Sequence, residues 1–213
     1  MKRKTAGILF GGRSAEHEIS LRSAQNVSRS IDQDKYQLIL IGMDRTGKFR
    51  LMPANLFQRH ADSVDAIDIA HEGEALLISP GDRHNAFIPA SSPSTPLHID
   101  IIFPVLHGPF GEDGTVQGLL KLLDIPFVGA GTLGSAVGMD KDVMKRLLRE
   151  AKIATPGSLT FTSQGDPAPD YDAVSSQLGP VLFVKPANLG SSVGVNRASN
   201  ARQFSAAVRD AFR

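Results

Sequence analysis

The chain has 213 residues, 41% of them hydrophobic and 21% charged, with a formal net charge of +1. That is an ordinary globular composition, long enough for one large domain or two small ones, and its charge gives no long-range field toward nucleic acid or an acidic membrane. No cysteine is present, which removes disulfides, thiol nucleophiles and cysteine-bound zinc and fits a cytoplasmic setting.

Met1-Lys2-Arg3-Lys4 imitates the head of a signal peptide, but the apolar run behind it ends at Gly11-Gly12, too soon for one. No stretch approaches the ~20 apolar residues of a membrane span. Thr5 to Phe10 reads as a buried parallel strand. Ser14 is the expected N-cap of a helix with Ala15, Ile19, Ser23, Val27 and Ile31 on its inner face. Tyr36 to Met43 is a second strand. Asp44 to Gly47 is a turn, and Lys48 to Leu51 a small hairpin partner. Strand, helix, strand in that order predict a βαβ unit.

Residues 53–96 carry little pattern beyond a strand at Leu76 to Ser79 and a loop at Ser91 to Pro96. Leu97 to Leu106 is a strong strand that ends in His107-Gly108-Pro109-Phe110-Gly111-Glu112-Asp113-Gly114. Thr115 is the expected cap of a helix bearing Val116, Leu119, Leu120, Leu122 and Leu123. Ile125 to Val128 reads as a fourth strand, and a helix starts near Thr132. Asp140 caps a further helix, with Val143, Met144, Leu147, Leu148 and Ala151 inward. A strand at Leu159 to Phe161 and a helix at Tyr171 to Leu178, stopped by Gly179-Pro180, follow. The last helix starts at Ser199 or Asn200, and its stripe Phe204, Ala207, Val208, Ala211, Phe212 needs a sheet to cover it. The fold predicted is α/β: a Rossmann-like parallel-sheet amino-terminal domain over residues 1–138, then a second unit over 139–213 that looks unfinished.

Three places draw chemistry. Val181 to Val195 (VLFVKPANLGSSVGV) reads as strand, lysine, small-residue loop, strand. Glycines leave the loop backbone open to a ligand, and Lys185 with the loop N–H groups and the hydroxyls of Ser191 and Ser192 would suit an anion. No Walker A spacing is present. A phosphate cradle and a plain glycine-tipped hairpin both fit. The second place is Gly11 to Glu18, a glycine turn opening a helix. Glu16 there either meets the helix dipole or grips a substrate ammonium at the crevice where ligands of parallel sheets gather. The third is His107 to Gly114. His107 either bonds a loop carbonyl or orients a neighbour and moves a proton. Glu112 and Asp113 suit the approach to the Thr115 helix better than a metal. Lys141, in a first helical turn where a cation is disfavoured, is either solvated or reaches a phosphate. No Ser–His–acid order points to a hydrolase.

Four blocks, Gly7 to Ala24 (GILFGGRSAEHEISLRSA), Ile102 to Leu120 (IFPVLHGPFGEDGTVQGLL), Pro126 to Leu148 (PFVGAGTLGSAVGMDKDVMKRLL) and Phe183 to Val195 (FVKPANLGSSVGV), resemble the D-alanine–D-alanine ligase family of the ATP-grasp superfamily. The resemblance implies that residues 139–213 begin an α+β ATP-grasp domain. It implies an ATP-dependent ligation through an acyl phosphate that makes D-alanyl-D-alanine for peptidoglycan precursors. Carried onto this chain, it makes Glu16 the holder of the first D-alanine's ammonium and His107 part of the substrate network. It adds Ser191 to that network beside Glu16, puts Ser191 and Ser192 over the terminal phosphates, and gives Lys141 and Lys185 to ATP phosphates. It implies Mg²⁺, D-alanine as substrate and a homodimer through the amino-terminal domain.

The family pattern continues past residue 213, where its adenine hinge, Mg²⁺ ligands, arginine and loop tyrosine would lie. An inactive fragment is therefore expected of 1–213 alone. A ligase using D-lactate or D-serine as second substrate, and a non-catalytic dimerising protein, are the alternatives.

Overall fold

A computed structural model describes residues 3–162, 169–190 and 193–212. The chain divides into two compact units, Met1–Ala136 and Val137–Arg213.

The first unit is built on one six-stranded sheet. Its strands are β1 (Lys4–Gly11), β2 (Tyr36–Met43), β3 (Phe49–Leu51), β4 (Glu74–Ile78), β5 (Phe87–Pro89) and β6 (Ile101–Pro104), in the order β5-β4-β3-β2-β1-β6. β1 lies beside the β6 edge and is parallel to both neighbours, with Leu9 opposite Ile41 on β2 and Pro104 on β6. The remaining pairs, β2–β3, β3–β4 and β4–β5, are antiparallel. The parallel-sheet reading thus holds for β2, β1 and β6, and an antiparallel meander through β3, β4 and β5 makes the other half. Residues 53–96, which carried little pattern, supply β4 and β5.

Alternation along the central strands sorts side chains to opposite faces. Leu9, Ile41 and Ile102 share one core with Val116, Leu120 and Leu123. These last three belong to α4 (Thr115–Leu122) and the residue that ends it. Ile8, Phe10 and Leu40 share the other core with Leu21 and Ala24 of α1 (His17–Ser30). Met52 completes it with Leu56, Phe57, Val64, Ile67 and Ile69, the last five from the short helices α2 (Leu56–Arg59) and α3 (Ile69–Glu72) and the segment between them.

Several sequence expectations change. Ser14 is not the cap of α1: the helix starts at His17 after Glu16, without a side-chain cap. The buried face is His17, Ser20, Leu21, Ala24 and Gln25, whereas Ile19 is half exposed. His17 and Ser20 point inward because they bond backbone at the strand ends, so an apolar count picks the wrong face. Gly114, at φ +93°, precedes α4 in place of Thr115, and Leu122 is exposed. The strand expected over 97–106 shortens to Ile101–Pro104, although the Asp100 and Val105 amides still donate to Thr5 and Leu9 of β1. Ile125 to Val128 contributes one parallel bridge, Ile102 with Phe127, rather than a strand.

α5 (Thr132–Met139) follows. In the second unit, Asp140 caps α6 (Lys141–Glu150) by accepting from the amides of Asp142 and Val143. No α6 residue is fully buried: of its expected inner face Val143, Met144 and Leu148 are half-buried and Leu147 is exposed. No strand forms at 159–161, since so short an extended run needs an adjacent edge to pair with. α7 (Tyr171–Leu178) ends at Gly179, φ +96°. β7 (Leu182–Val184) and β8 (Asn196–Ala198) pair antiparallel. α8 (Ala201–Ala211) is capped by Asn200. The stripe on α8 does find a sheet: Phe204 packs with Leu182 of β7, Ala198 of β8 and Val174 of α7.

Candidate active site

Two loops leave the carboxyl ends of β1 and β6, which are hydrogen-bonded neighbours. The β1 loop carries Glu16 and the β6 loop carries His107. Gly11 and Gly12 turn the first loop, at φ +91° and +96°. A methyl group on Gly11 would lie 2.4 Å from the Met43 carbonyl oxygen, so only glycine fits there. His17, buried beneath the loop, lies 2.7 Å from the Gly12 carbonyl through Nδ1. A carbonyl only accepts, so Nδ1 carries the proton.

Serines join the two loops. Ser20, fully buried, accepts from the Gly11 amide at 2.8 Å and donates to the Val105 carbonyl. Ser14 donates to the His107 carbonyl at 2.7 Å and accepts from the Glu16 amide at 3.2 Å. The Ser23 hydroxyl lies 3.2 Å from His107 Nε2. Sequence reasoning assigned none of these three a site role. The available signal was Ser20 and Ser23 standing one turn apart on the helix that opens the crevice.

Glu16 and His107 are thereby brought to one place. A methyl group on Gly108 would come within 2.9 Å of Glu16 Oε2, so the carboxylate lies against the residue that follows His107. Over the same two loops, the Arg13 guanidinium sits 4.4 Å from the centre of the Phe110 ring, a cation–π contact. The β6 loop holds its own shape: Glu112 accepts from the Gly108 amide at 2.7 Å, and Asp113 accepts from Phe110 at 2.8 Å and Thr115 at 3.0 Å. Burial pushes the Asp113 carboxyl up, but these amide bonds outweigh it and hold the group below its ordinary range. Both carboxylates have the structural role expected of them. Glu18 pairs with Arg45, and its carboxyl is lowered first by its own helix-start amide and then by that arginine.

The second unit gathers Lys141 and Lys185. Lys141 begins α6, and its amide and ammonium both donate to the Ala187 carbonyl, at 3.1 and 3.3 Å. The ammonium also donates to the Leu189 carbonyl. The lysine is therefore held against the loop after β7, not freely solvated. Burial lowers its pKa, the charge of Lys185 lowers it further, and Asp140 acts in the opposite direction. Lys185 itself is exposed at the end of β7. In the hairpin, Gly194 takes φ +68° against Pro186. Ser191 and Ser192 lie outside the described residues. A separate cavity of about 490 Å³ between α8 and β8, lined by Asn196, Arg197, Arg209 and Asp210 among others, contains none of the predicted site residues. Among the described residues, no three His, Asp or Glu gather as metal ligands. No helix among them is long and apolar enough to cross a membrane.

A family model described as D-ala D-ala ligase N-terminus matches residues 5–130, and one described as D-ala D-ala ligase C-terminus matches 147–213. The chain belongs to the D-ala D-ala ligase family. It is 47% identical over 211 residues to the D-alanine–D-alanine ligase of Sodalis glossinidius, covering 99% of this chain and 58% of that relative. The chain thus spans less than two thirds of the length of the curated relatives it matches. Among solved structures it is similar to the D-alanine–D-alanine ligase of Coxiella burnetii, with 32% identity, a TM-score of 0.87, and coverage of 99% of this chain and 61% of that one. It is also similar to the VanG D-Ala:D-Ser ligase of Enterococcus faecalis, with 32% identity, a TM-score of 0.79, and coverage of 99% and 60%. It is similar as well to the D-alanine–D-alanine ligase of Bacillus anthracis solved in complex with ATP, with 25% identity, a TM-score of 0.65, and coverage of 98% and 55%.

Proposed function

We propose that this chain carries the first-substrate pocket and part of the phosphate site of an ATP-dependent D-alanine–D-alanine ligase. The observation that supports it best is Glu16 and His107 meeting at adjacent strand ends, with bare Gly108 beside the Glu16 carboxylate. A carboxylate at the crevice of a parallel sheet suits an amino-acid ammonium. In this reading Glu16 holds the ammonium of the first D-alanine and His107 belongs to the hydrogen-bond network around it.

Oxygen of the first D-alanine's carboxylate attacks the γ-phosphorus of ATP, and ADP leaves with the electrons of the broken bond. The resulting acyl phosphate is attacked by the amine of a second D-alanine. The tetrahedral intermediate expels phosphate, a proton leaves the nitrogen, and the dipeptide remains. This chemistry needs orientation and charge neutralisation more than a covalent nucleophile. Lys141 and Lys185 contact ATP phosphates in this reading. Their mutual repulsion, which depresses Lys141 after burial does, would be relieved by an anion between them. Ser191 joins the pocket network, and Ser191 and Ser192 cover the terminal phosphates. Mg²⁺ would supply further neutralisation, and no described residue is assigned to it. A homodimer through the amino-terminal domain and a cytoplasmic setting belong to the same proposal.

Titration of the chain with D-alanine, followed by calorimetry, tests it. Binding that weakens at least about tenfold in Glu16→Gln, with the circular dichroism unchanged, is expected. Binding left intact by that change would refute the assignment. Lys141→Met and Lys185→Met should each weaken ATP binding and spare D-alanine. The likeness to a D-Ala:D-Ser ligase favours a second reading, with D-serine as the second substrate. Comparing D-alanine, D-serine and D-lactate as acceptors in a phosphate-release assay on the full-length protein separates the two.

A further inference from the structure

Ser23 has no part in the roles assigned above. It is half-buried midway along α1, and its hydroxyl meets the ring of a residue 84 positions away, His107, at Nε2. The backbone around His107 is fastened separately. The His107 carbonyl accepts from Ser14, and the next amide donates to Glu112. The peptide group that follows His107 is therefore held at both its oxygen and its nitrogen, and Ser23 is left to decide the state of the ring. Among the described residues, the other ring nitrogen, Nδ1, makes no hydrogen bond.

We propose that Ser23 is a positioning residue: its hydroxyl donates to Nε2 of His107 and fixes the neutral ring as the Nδ1–H tautomer. Nδ1–H is then a donor for the carboxylate of the amino acid whose ammonium Glu16 holds. This rests on the reading of Glu16 given above. The direction follows from charge. A neutral imidazole has one donor and one acceptor nitrogen. With the opposite tautomer, Nε2–H would donate to Ser23, and a lone pair on Nδ1 would face an anionic carboxylate. A serine hydroxyl inside a helix otherwise bonds back to a carbonyl one turn earlier. Here it reaches across to the β6 loop instead, as a group committed to the ring does. His17 provides a contrast within the same crevice, because its Nδ1–H goes to a loop carbonyl and leaves nothing to offer a ligand from that nitrogen.

The experiment uses the 213-residue chain with ¹⁵N-labelled histidine. Long-range ¹H–¹⁵N spectra are recorded at a pH where imidazole is neutral, with the His107 signals assigned through His107→Gln. Wild type should show protonated Nδ1 and bare Nε2. Ser23→Ala should move the ring toward the Nε2–H form that free histidine favours, and Ser23→Thr, which keeps the hydroxyl, should restore the wild-type pattern. D-alanine affinity should fall about tenfold in Ser23→Ala and stay within about twofold of wild type in Ser23→Thr. A wild-type ring already in the Nε2–H form, or a ring unmoved by Ser23→Ala, overturns the proposal. So does an unchanged D-alanine affinity in Ser23→Ala when the tautomer has moved. If the tautomer follows Ser23 while wild type binds no D-alanine, the Ser23–His107 link is upheld and the Glu16 reading falls instead.

Discussion

Ser20 and Gly108 bring out two kinds of dependence at the scale of single residues. Ser20 is wholly buried and bonds two strand-end backbone groups, the Gly11 amide and the Val105 carbonyl. Ser20→Ala leaves both groups buried without partners, at about 1–3 kcal/mol each. A loss of about 2 kcal/mol or more in urea unfolding is expected, and a change under about 0.5 kcal/mol would contradict the staple. Gly108 is different. A methyl group there meets the far end of Glu16, which can swing aside, and φ is +67°. Gly108→Ala should cost about 1–2 kcal/mol of backbone strain. Its larger effect should be on binding, with D-alanine affinity falling at least about tenfold as the carboxylate is displaced. Equal binding by Gly108→Ala and wild type would count against the Glu16 site. The glycine was legible in the sequence because it follows a strong strand. The serine was not, because its partners lie 9 and 85 positions away and a serine on a helix reads as solvent-facing.

Among elements, the turn at Asp44 to Gly47 was read correctly from its composition, and the structure gives its cause. Asp44 is buried and accepts from the Thr46 amide, the Thr46 hydroxyl and the Lys48 amide, at 2.8, 2.7 and 3.0 Å. Burial raises its carboxyl pKa, but these bonds, the hydroxyl first, and then Arg50 bring it below the ordinary 3.8. A group lowered on folding adds stability above its unfolded pKa, and that stability disappears as pH falls through the folded value. The urea midpoint of wild type should therefore exceed that of Asp44→Asn at neutral pH, and the two should converge below about pH 4. A constant gap across that range would exclude the linkage. α1 was read less well. Its existence was clear, but its inward face was not, because His17 and Ser20 are buried to bond backbone while Ile19 stays exposed.

At the level of the whole molecule, each unit has its own core: two clusters on the faces of the sheet in Met1–Ala136, and one around Phe204 in Val137–Arg213. Separate cores predict separate unfolding. Calorimetry should resolve two transitions, with Ser20→Ala lowering only one. Phe204→Ala, which removes a buried ring at a cost of about 3–5 kcal/mol, should lower only the other. A single transition moved by both changes would refute this.

The sequence by itself determined the α/β class, the central strands and the glycine turns at their ends. It also determined the four family blocks that single out Glu16, His107, Lys141 and Lys185. Those features are local, because side-chain alternation, helical spacing and positive φ are imposed within a few residues of chain. Only the tertiary structure decided which face of α1 turns inward, and that the strand read at 76–79 pairs antiparallel with β3 and with a further strand, β5. It alone placed the α8 stripe on β7 and β8, and Ser14, Ser20 and Ser23 between the two loops of the crevice. These rest on hydrogen bonds and packing between residues far apart in the chain. A serine makes such bonds only when folding brings a partner to it, and nothing in its immediate neighbours records which partner that will be.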